Sequence, residues 1–239
     1  MIELNWYAAW QALIHHPLFG VGITLAVFQL AYAAYEKTRW VFLQPVLVSM
    51  TLIVGILLLC GIDYDEYRIS AQWLTLLLGP ATVALAVPLY LNLRRIRELF
   101  GPIVITLLVA GVFATALGMA LAWAFGAERM ILMTLAPKSV TSPIAMLVAE
   151  QIGGVAALAA VFVLITGVIG AIFGPALLSR CGVLSPEARG MSLGITAHAV
   201  GTSVALQESD ECGAFAALAM SLMGLATVVF LPLAVSLVA

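Results

Sequence analysis

Residues 130–151 read MILMTLAPKSVTSPIAMLVAEQ, and this stretch decides how the chain is folded. Both ends are apolar enough for a membrane interior. Between them stand Pro137, Lys138 and Pro143, with hydroxyls at Ser139, Thr141 and Ser142. Proline removes a backbone donor and clashes with the preceding helical turn. A charged side chain at bilayer depth costs roughly 3 kcal/mol or more. One uninterrupted crossing is therefore disfavoured. The stretch predicts a re-entrant or broken helix that enters the membrane, turns around Lys138 and returns to the same side.

The rest of the chain supplies the membrane. Of 239 residues, 64% are hydrophobic and 9% charged, and the mean hydropathy is +1.14. Soluble domains run near half apolar and a quarter charged. A soluble fold this apolar would have nothing to cover its outside, whereas lipid-facing helices need no polar face. The predicted class is an all-α integral membrane protein of seven or eight transmembrane helices, forming a single transmembrane domain over 1–239. The first sixteen residues carry two Trp and one Tyr and read as an interfacial segment. Predicted spans cover about 17–35, 40–62, 73–93, 102–125, 155–178, 188–207 and 214–238. The net charge of −2 leaves no basic footprint for nucleic acid. Cys60, Cys181 and Cys212 have no metal or disulfide spacing. Glu3 and the lack of any Lys or Arg before Lys37 argue against a cleaved signal peptide.

Basic residues set orientation, because Lys and Arg stay cytoplasmic. If 130–151 crosses once, the two sides carry five and four basic residues. If it returns, Lys37, Arg39, Arg94, Arg95, Arg97, Arg180 and Arg189 face Arg68 and Arg129, seven against two. The second arrangement puts the N-terminus outside and the C-terminus inside. The acidic loops 63–66 and 208–211 then both face outside. Three-helix groups before and after the hairpin run in opposite directions, each with an interrupted middle member. The first carries Gly79-Pro80-Ala81-Thr82 and Pro88, the second His198, Gly201, Thr202 and Ser203. This predicts an inverted repeat, about 17–127 against 130–239, of the kind that places a substrate site where broken helices meet.

Lys138 is the residue most in need of a role. It must be paired, face water or bind something; the bland alternative is a lysine at headgroup level. A helix beginning near Pro143 would turn its free N–H groups toward the same tip, which favours an anion. Glu150 is either a boundary acid or a partner for Lys138 and a proton carrier. His198, mid-span among alanines, is either an interhelical hydrogen bond or a proton-coupling and substrate group. Thr82 and Thr202 are weaker candidates, since membrane threonines usually bond their own helix. Gly170–Gly174 and Gly190–Gly194 read as packing motifs. No nucleophile–base pair, metal-ligand spacing or phosphate loop is present, so neither an enzyme nor a cofactor is expected.

The motifs themselves resemble a known family. LAPKSVTSPIAM at 135–146 with EQIGG at 150–154, TAHAVGT at 196–202 with GAF at 213–215, and LGPATVALAVPL at 78–89 are similar to the signatures of the LrgB/CidB family. The similarity covers nearly everything after about residue 17. It implies a multi-pass protein of the bacterial inner membrane, made beside a smaller LrgA/CidA-like membrane partner. Members were named as antiholin-like modulators of murein hydrolase activity and autolysis. Relatives are implicated in pyruvate movement, and a plastid relative moves glycolate and glycerate. Val204 departs from the family pattern, where a basic residue often stands.

Together these imply transport of a small monocarboxylate by alternating access. Lys138, Ser139, Thr141, Ser142, Thr82, His198 and Thr202 would bind substrate, and Glu150 or His198 would couple a proton. The alternative is a non-transporting, antiholin-like regulator. A homo-oligomer is compatible with either.

Overall fold

The computed structural model describes residues 6–38, 40, 43–84 and 86–238. Among them all regular structure is helical. The chain divides into two compact units, Met1–Ala84 and Leu85–Ala239.

The first unit holds α1 (Trp6–Ile14), α2 (Phe19–Thr38), α3 (Pro45–Cys60), α4 (Tyr64–Ser70) and α5 (Gln72–Ala84). Gln44 caps α3 by accepting from the Val46 and Leu47 N–H groups, and Gly61 closes it in the left-handed conformation. The core joins Ile14, Val27, Ile53, Leu57 and Ile62. Two polar contacts fix α2 against α4. The Gly20 N–H donates to Ser70 Oγ at 3.0 Å, and Thr24 Oγ1 meets the Tyr67 hydroxyl at 2.7 Å. A side chain at Gly20 would collide with Ser70 and the Ala71 backbone, so this crossing requires glycine.

The second unit holds α6 (Ala86–Leu91), α7 (Leu93–Glu98), α8 (Phe100–Ala124), α9 (Arg129–Leu135), α10 (Ser142–Gln151), α11 (Ala156–Arg180), α12 (Pro186–Glu208) and α13 (Asp210–Val238). The expected third span, 73–93, falls on α5 and α6, with residue 85 between them outside the described residues, and α6 ends at Leu91. Among the described residues four helices are long and apolar enough to cross a membrane: Phe19–Thr38, Phe100–Ala124, Ala156–Arg180 and Asp210–Leu237. Pro45–Cys60 is a shorter apolar helix. The chain is a multi-pass membrane protein on this basis; among the described residues four long spans are present, where seven or eight were expected over the whole chain.

Helices α9 and α10 have 7 and 10 residues. At 1.5 Å per residue they reach about 10 and 15 Å, each far short of a roughly 30 Å hydrocarbon core. They form a bent unit whose tip is the turn 136–141. The chain returns beside its entry, since Gly154 and Val155, just beyond α10, lie against Thr134 of α9. Arg95 fixes the other end of the bundle. Its guanidinium lies 2.6 Å from Glu187, so α12 begins beside the start of α8, where α11 ends.

Helix α12 departs from expectation. Residues 188–207 were expected to cross the membrane. Instead, Arg189 near its start and Glu208 at its end are 2.7 Å apart. A straight helix would separate them by roughly 28 Å. The chain reverses at His198, whose φ of 42° and ψ of −126° are non-helical. Gly201 packs against the Leu193 carbonyl, and Leu193 and Ala205 share one cluster, so the halves 186–197 and 199–208 are antiparallel. A side chain at Gly190 would strike Cys212 and Phe215, and one at Gly194 would strike Ala216. The first half of α12 therefore runs parallel to α13, and the second half antiparallel to it. The physical reason is that glycines 190, 194 and 201 remove the Cβ atoms that would keep three backbones apart.

This geometry corrects two further expectations. Glu208 lies with Arg189, at the same end as Arg95 and Arg180, and not across the membrane from them. Helix α13 starts at that end and runs away from it, so its last residue, Val238, lies at the opposite end of the second unit.

Candidate functional site

Two hairpins enter the second unit from opposite ends of α11. One is α9–α10, with Lys138 at its tip. The other is α12, with His198 at its tip.

Lys138 reaches α8. Its Nζ donates to the Ala114 carbonyl at 2.8 Å, close to the middle of the Phe100–Ala124 helix. Gly118 makes room: a Cβ there would stand 2.6 Å from Nζ. Among the described residues no carboxylate forms an ion pair with this ammonium. An ammonium has three hydrogens, and one of them goes to Ala114. The pairing with Glu150 does not form. Glu150 is exposed near the far end of α10, nine positions beyond Thr141, the residue before α10 begins.

Ser139 is buried, and Thr141 and Ser142 are half-buried around the same turn. Thr141 precedes α10, but its hydroxyl does not cap the helix. The α10 N–H groups therefore face the tip without a side-chain acceptor from Thr141, as an anion site would have them.

His198 is 3% exposed, and its Nε2 lies 2.9 Å from the Val163 carbonyl on α11. A carbonyl only accepts, so Nε2 carries the hydrogen. Gly167 receives the ring: a Cβ there would lie 2.6 Å from Cε1. Thr202 donates to the His198 carbonyl at 2.8 Å and lies 3.8 Å from Met220 Sδ. Its hydroxyl is used within its own hairpin. Thr82 belongs to α5 in the first unit, and its side chain lies outside the described residues.

Two structural contacts carry no mark in the sequence. Thr134 is fully buried; its Oγ1 donates to Met130 O at 2.7 Å and accepts from Val155 N–H at 2.9 Å. It ties α9 to the start of α11. Arg189 clamps the base of the second hairpin through Glu208, Ser179 Oγ and the Val183 carbonyl. At the same end, the Glu187 carboxyl is held below its ordinary range, first by its own backbone N–H and then by Arg95.

The tips and the cavities are separate features. A cavity of about 320 Å³ lies between α8 and α12 at the Arg95 end, lined among others by Thr106, Ser192 and Phe215. An apolar groove of about 750 Å³ lies between α8 and α13. Neither is lined by Lys138 or His198.

Comparison with known proteins agrees with the motifs. Residues 24–237 match the LrgB-like family. The chain is 36% identical over 213 residues to the uncharacterized protein YxaC of Bacillus subtilis, covering 89% of this chain and 93% of that protein. It is 31% identical over 215 residues to the holin-like protein CidB of Staphylococcus epidermidis, covering 90% and 94%. The holin-like protein CidB of Staphylococcus aureus matches at the same identity and coverage. No solved structure matches. The chain is a member of the LrgB-like family of bacterial multi-pass membrane proteins.

Proposed function

We propose that this protein moves small monocarboxylates of the glycolate, glycerate, pyruvate or lactate type across the membrane by alternating access. The observation that carries this is the pair of opposed hairpins. Half-helices α10 and 199–208 both begin at a tip inside the bundle, so their positive N-terminal ends lie in its interior. Lys138 adds a full charge at one tip, with no carboxylate neutralising it among the described residues. Broken helices of opposite direction, meeting near the middle of the membrane, are the arrangement used by many secondary transporters.

In this scheme Lys138 and the α10 N–H groups hold the carboxylate. Ser139, Thr141 and Ser142 bond a substrate hydroxyl or carbonyl. Thr202 shapes the second tip. His198 is the better placed proton-coupling group, since it sits at a tip and Glu150 does not. The inverted repeat is better drawn as 129–180 against 186–238. Each half is then a hairpin followed by a long helix. Within each, the hairpin's first arm runs beside the following helix: Thr134 by Val155, Gly190 by Cys212. In the second unit Arg94, Arg95, Arg97, Arg180 and Arg189 share one end and Arg129 the other, five against one. That end is cytoplasmic by the positive-inside rule.

The staphylococcal relatives' name, holin-like protein, supports a second reading equally: a regulator of cell-wall hydrolysis that transports nothing and acts with a small LrgA/CidA-like membrane partner. Uptake of labelled two- and three-carbon carboxylates into proteoliposomes, with and without that partner, separates the two. Saturable uptake, lost in Lys138→Ala at matched insertion, supports the transporter. Absence of uptake with the partner present leaves the regulator.

A further inference from the structure

The apolar groove between α8 and α13 has a shape and a charge that specify an occupant. Its α8 wall runs from Leu107 through Gly111 to Met119, and its α13 wall from Met223 through Phe230 to Val235. Each wall repeats every three to four residues, so each is one face of a helix. Each covers twelve residues of rise, roughly 18 Å. The two helices run in the same direction, since α8 and α13 both start at the end marked by the Arg95–Glu187 and Arg189–Glu208 pairs, and Gly111 packs against Met223 partway along. The groove therefore opens near the middle of both helices and ends near their C-termini. Its length is close to one leaflet of a roughly 30 Å core. At that outer end stands Arg129, which also lines the groove. Arg129 is exposed and forms no ion pair among the described residues, Glu128 included.

We infer that the groove holds an acyl chain of an anionic phospholipid, with the lipid phosphate on Arg129. Inside the bilayer, a concave wall of leucine, methionine and phenylalanine gains dispersion contact from a chain that fills it. Gly111 and Ala116 give the groove its depth. A guanidinium at the mouth pairs well with phosphate oxygens. A second copy of this chain would leave Arg129 against a hydrophobic helix, whereas a lipid places phosphate where the cation is. The assignment does not depend on whether the protein transports.

The test is native mass spectrometry of the full chain, extracted from bilayers of equal phosphatidylglycerol and phosphatidylethanolamine. The expected result is retention of one lipid, with phosphatidylglycerol preferred. Arg129→Gln should reduce that preference about fivefold, the effect of one basic group near the surface. Ala226→Trp, which fills the groove, should abolish retention; Ala234→Phe serves if the first variant does not insert. Ile105→Trp, an exposed α8 position outside the groove, should change nothing. Retention and preference unaffected by the groove and Arg129 variants would overturn the inference. So would a lipid-free dimer that Ala226→Trp converts to monomer.

Discussion

Arg189 and Glu208 stand nineteen positions apart on one nominal helix, yet their side chains meet at 2.7 Å. That pairing converts a predicted membrane span into a second hairpin. Single cysteines at Ser185 and Ser209, in a background lacking Cys60, Cys181 and Cys212, should label from the same side with an impermeant reagent. Labelling from opposite sides would restore the continuous span. Glu208→Ala should lower stability by about 1.5–3 kcal/mol, the range for a hydrogen bond to a charged group. The exchange Arg189→Glu with Glu208→Arg should recover part of it, measured as unfolding temperature in detergent.

His198 gives a sharper test of the same reversal. Its φ and ψ of 42° and −126° match the first central position of a type II′ turn, where glycine is favoured. Holding a histidine there costs about 1–3 kcal/mol, and the bond to Val163 helps hold it. In a continuous helix alanine is more stable than glycine by roughly 1 kcal/mol. At this turn the order reverses: His198→Gly should unfold at a higher temperature than His198→Ala. The opposite order would show that residue 198 is helical.

Gly118 is expected to matter through Lys138. A methyl group there would occupy the position now 2.6 Å from Nζ. The neighbour is the end of a flexible side chain, so the fold should tolerate Gly118→Ala. The ammonium would lose its seat at Ala114. Uptake should fall at matched insertion, through a raised KM, with little change in unfolding temperature. A normal KM would mean the Ala114 contact has no part in binding.

Thr134→Val should destabilise by about 1–3 kcal/mol, because it leaves the Val155 N–H without its acceptor. Thr134→Ser keeps the oxygen and should lose much less. Equal loss in both would place the role of Thr134 in packing, not in this bond.

The first hairpin was legible because its turn announces itself: two prolines and a lysine cannot sit in lipid as one helix. The second hairpin was not, for a physical reason. Its turn, around Ala197-His198-Ala199, carries neither proline nor a fixed charge. A 23-residue hairpin also has the same length and hydropathy as a span. Gly190 and Gly194 read as a packing motif, which they are, but the packing is against α13 in parallel. Arg189 and Glu208 look like charges at the two ends of a crossing until their pairing is seen. Lys138 was legible as the charge at the first turn. Sequence alone left Glu150 open between a boundary acid and a partner of Lys138, because nearness along the chain does not show that α10 carries it away from the tip.

The most direct test of the carboxylate site is substrate protection at the first tip. With Ser142→Cys in the cysteine-free background, the alkylation rate by a small thiol reagent is measured in proteoliposomes with and without glycerate, and with glycerol as the uncharged control. A carboxylate held by Lys138 and the α10 N–H groups predicts slower alkylation with glycerate, no effect of glycerol, and loss of protection in Lys138→Met. Alkylation unaffected by each candidate in turn, glycolate, glycerate, pyruvate and lactate, would contradict a carboxylate site at this tip.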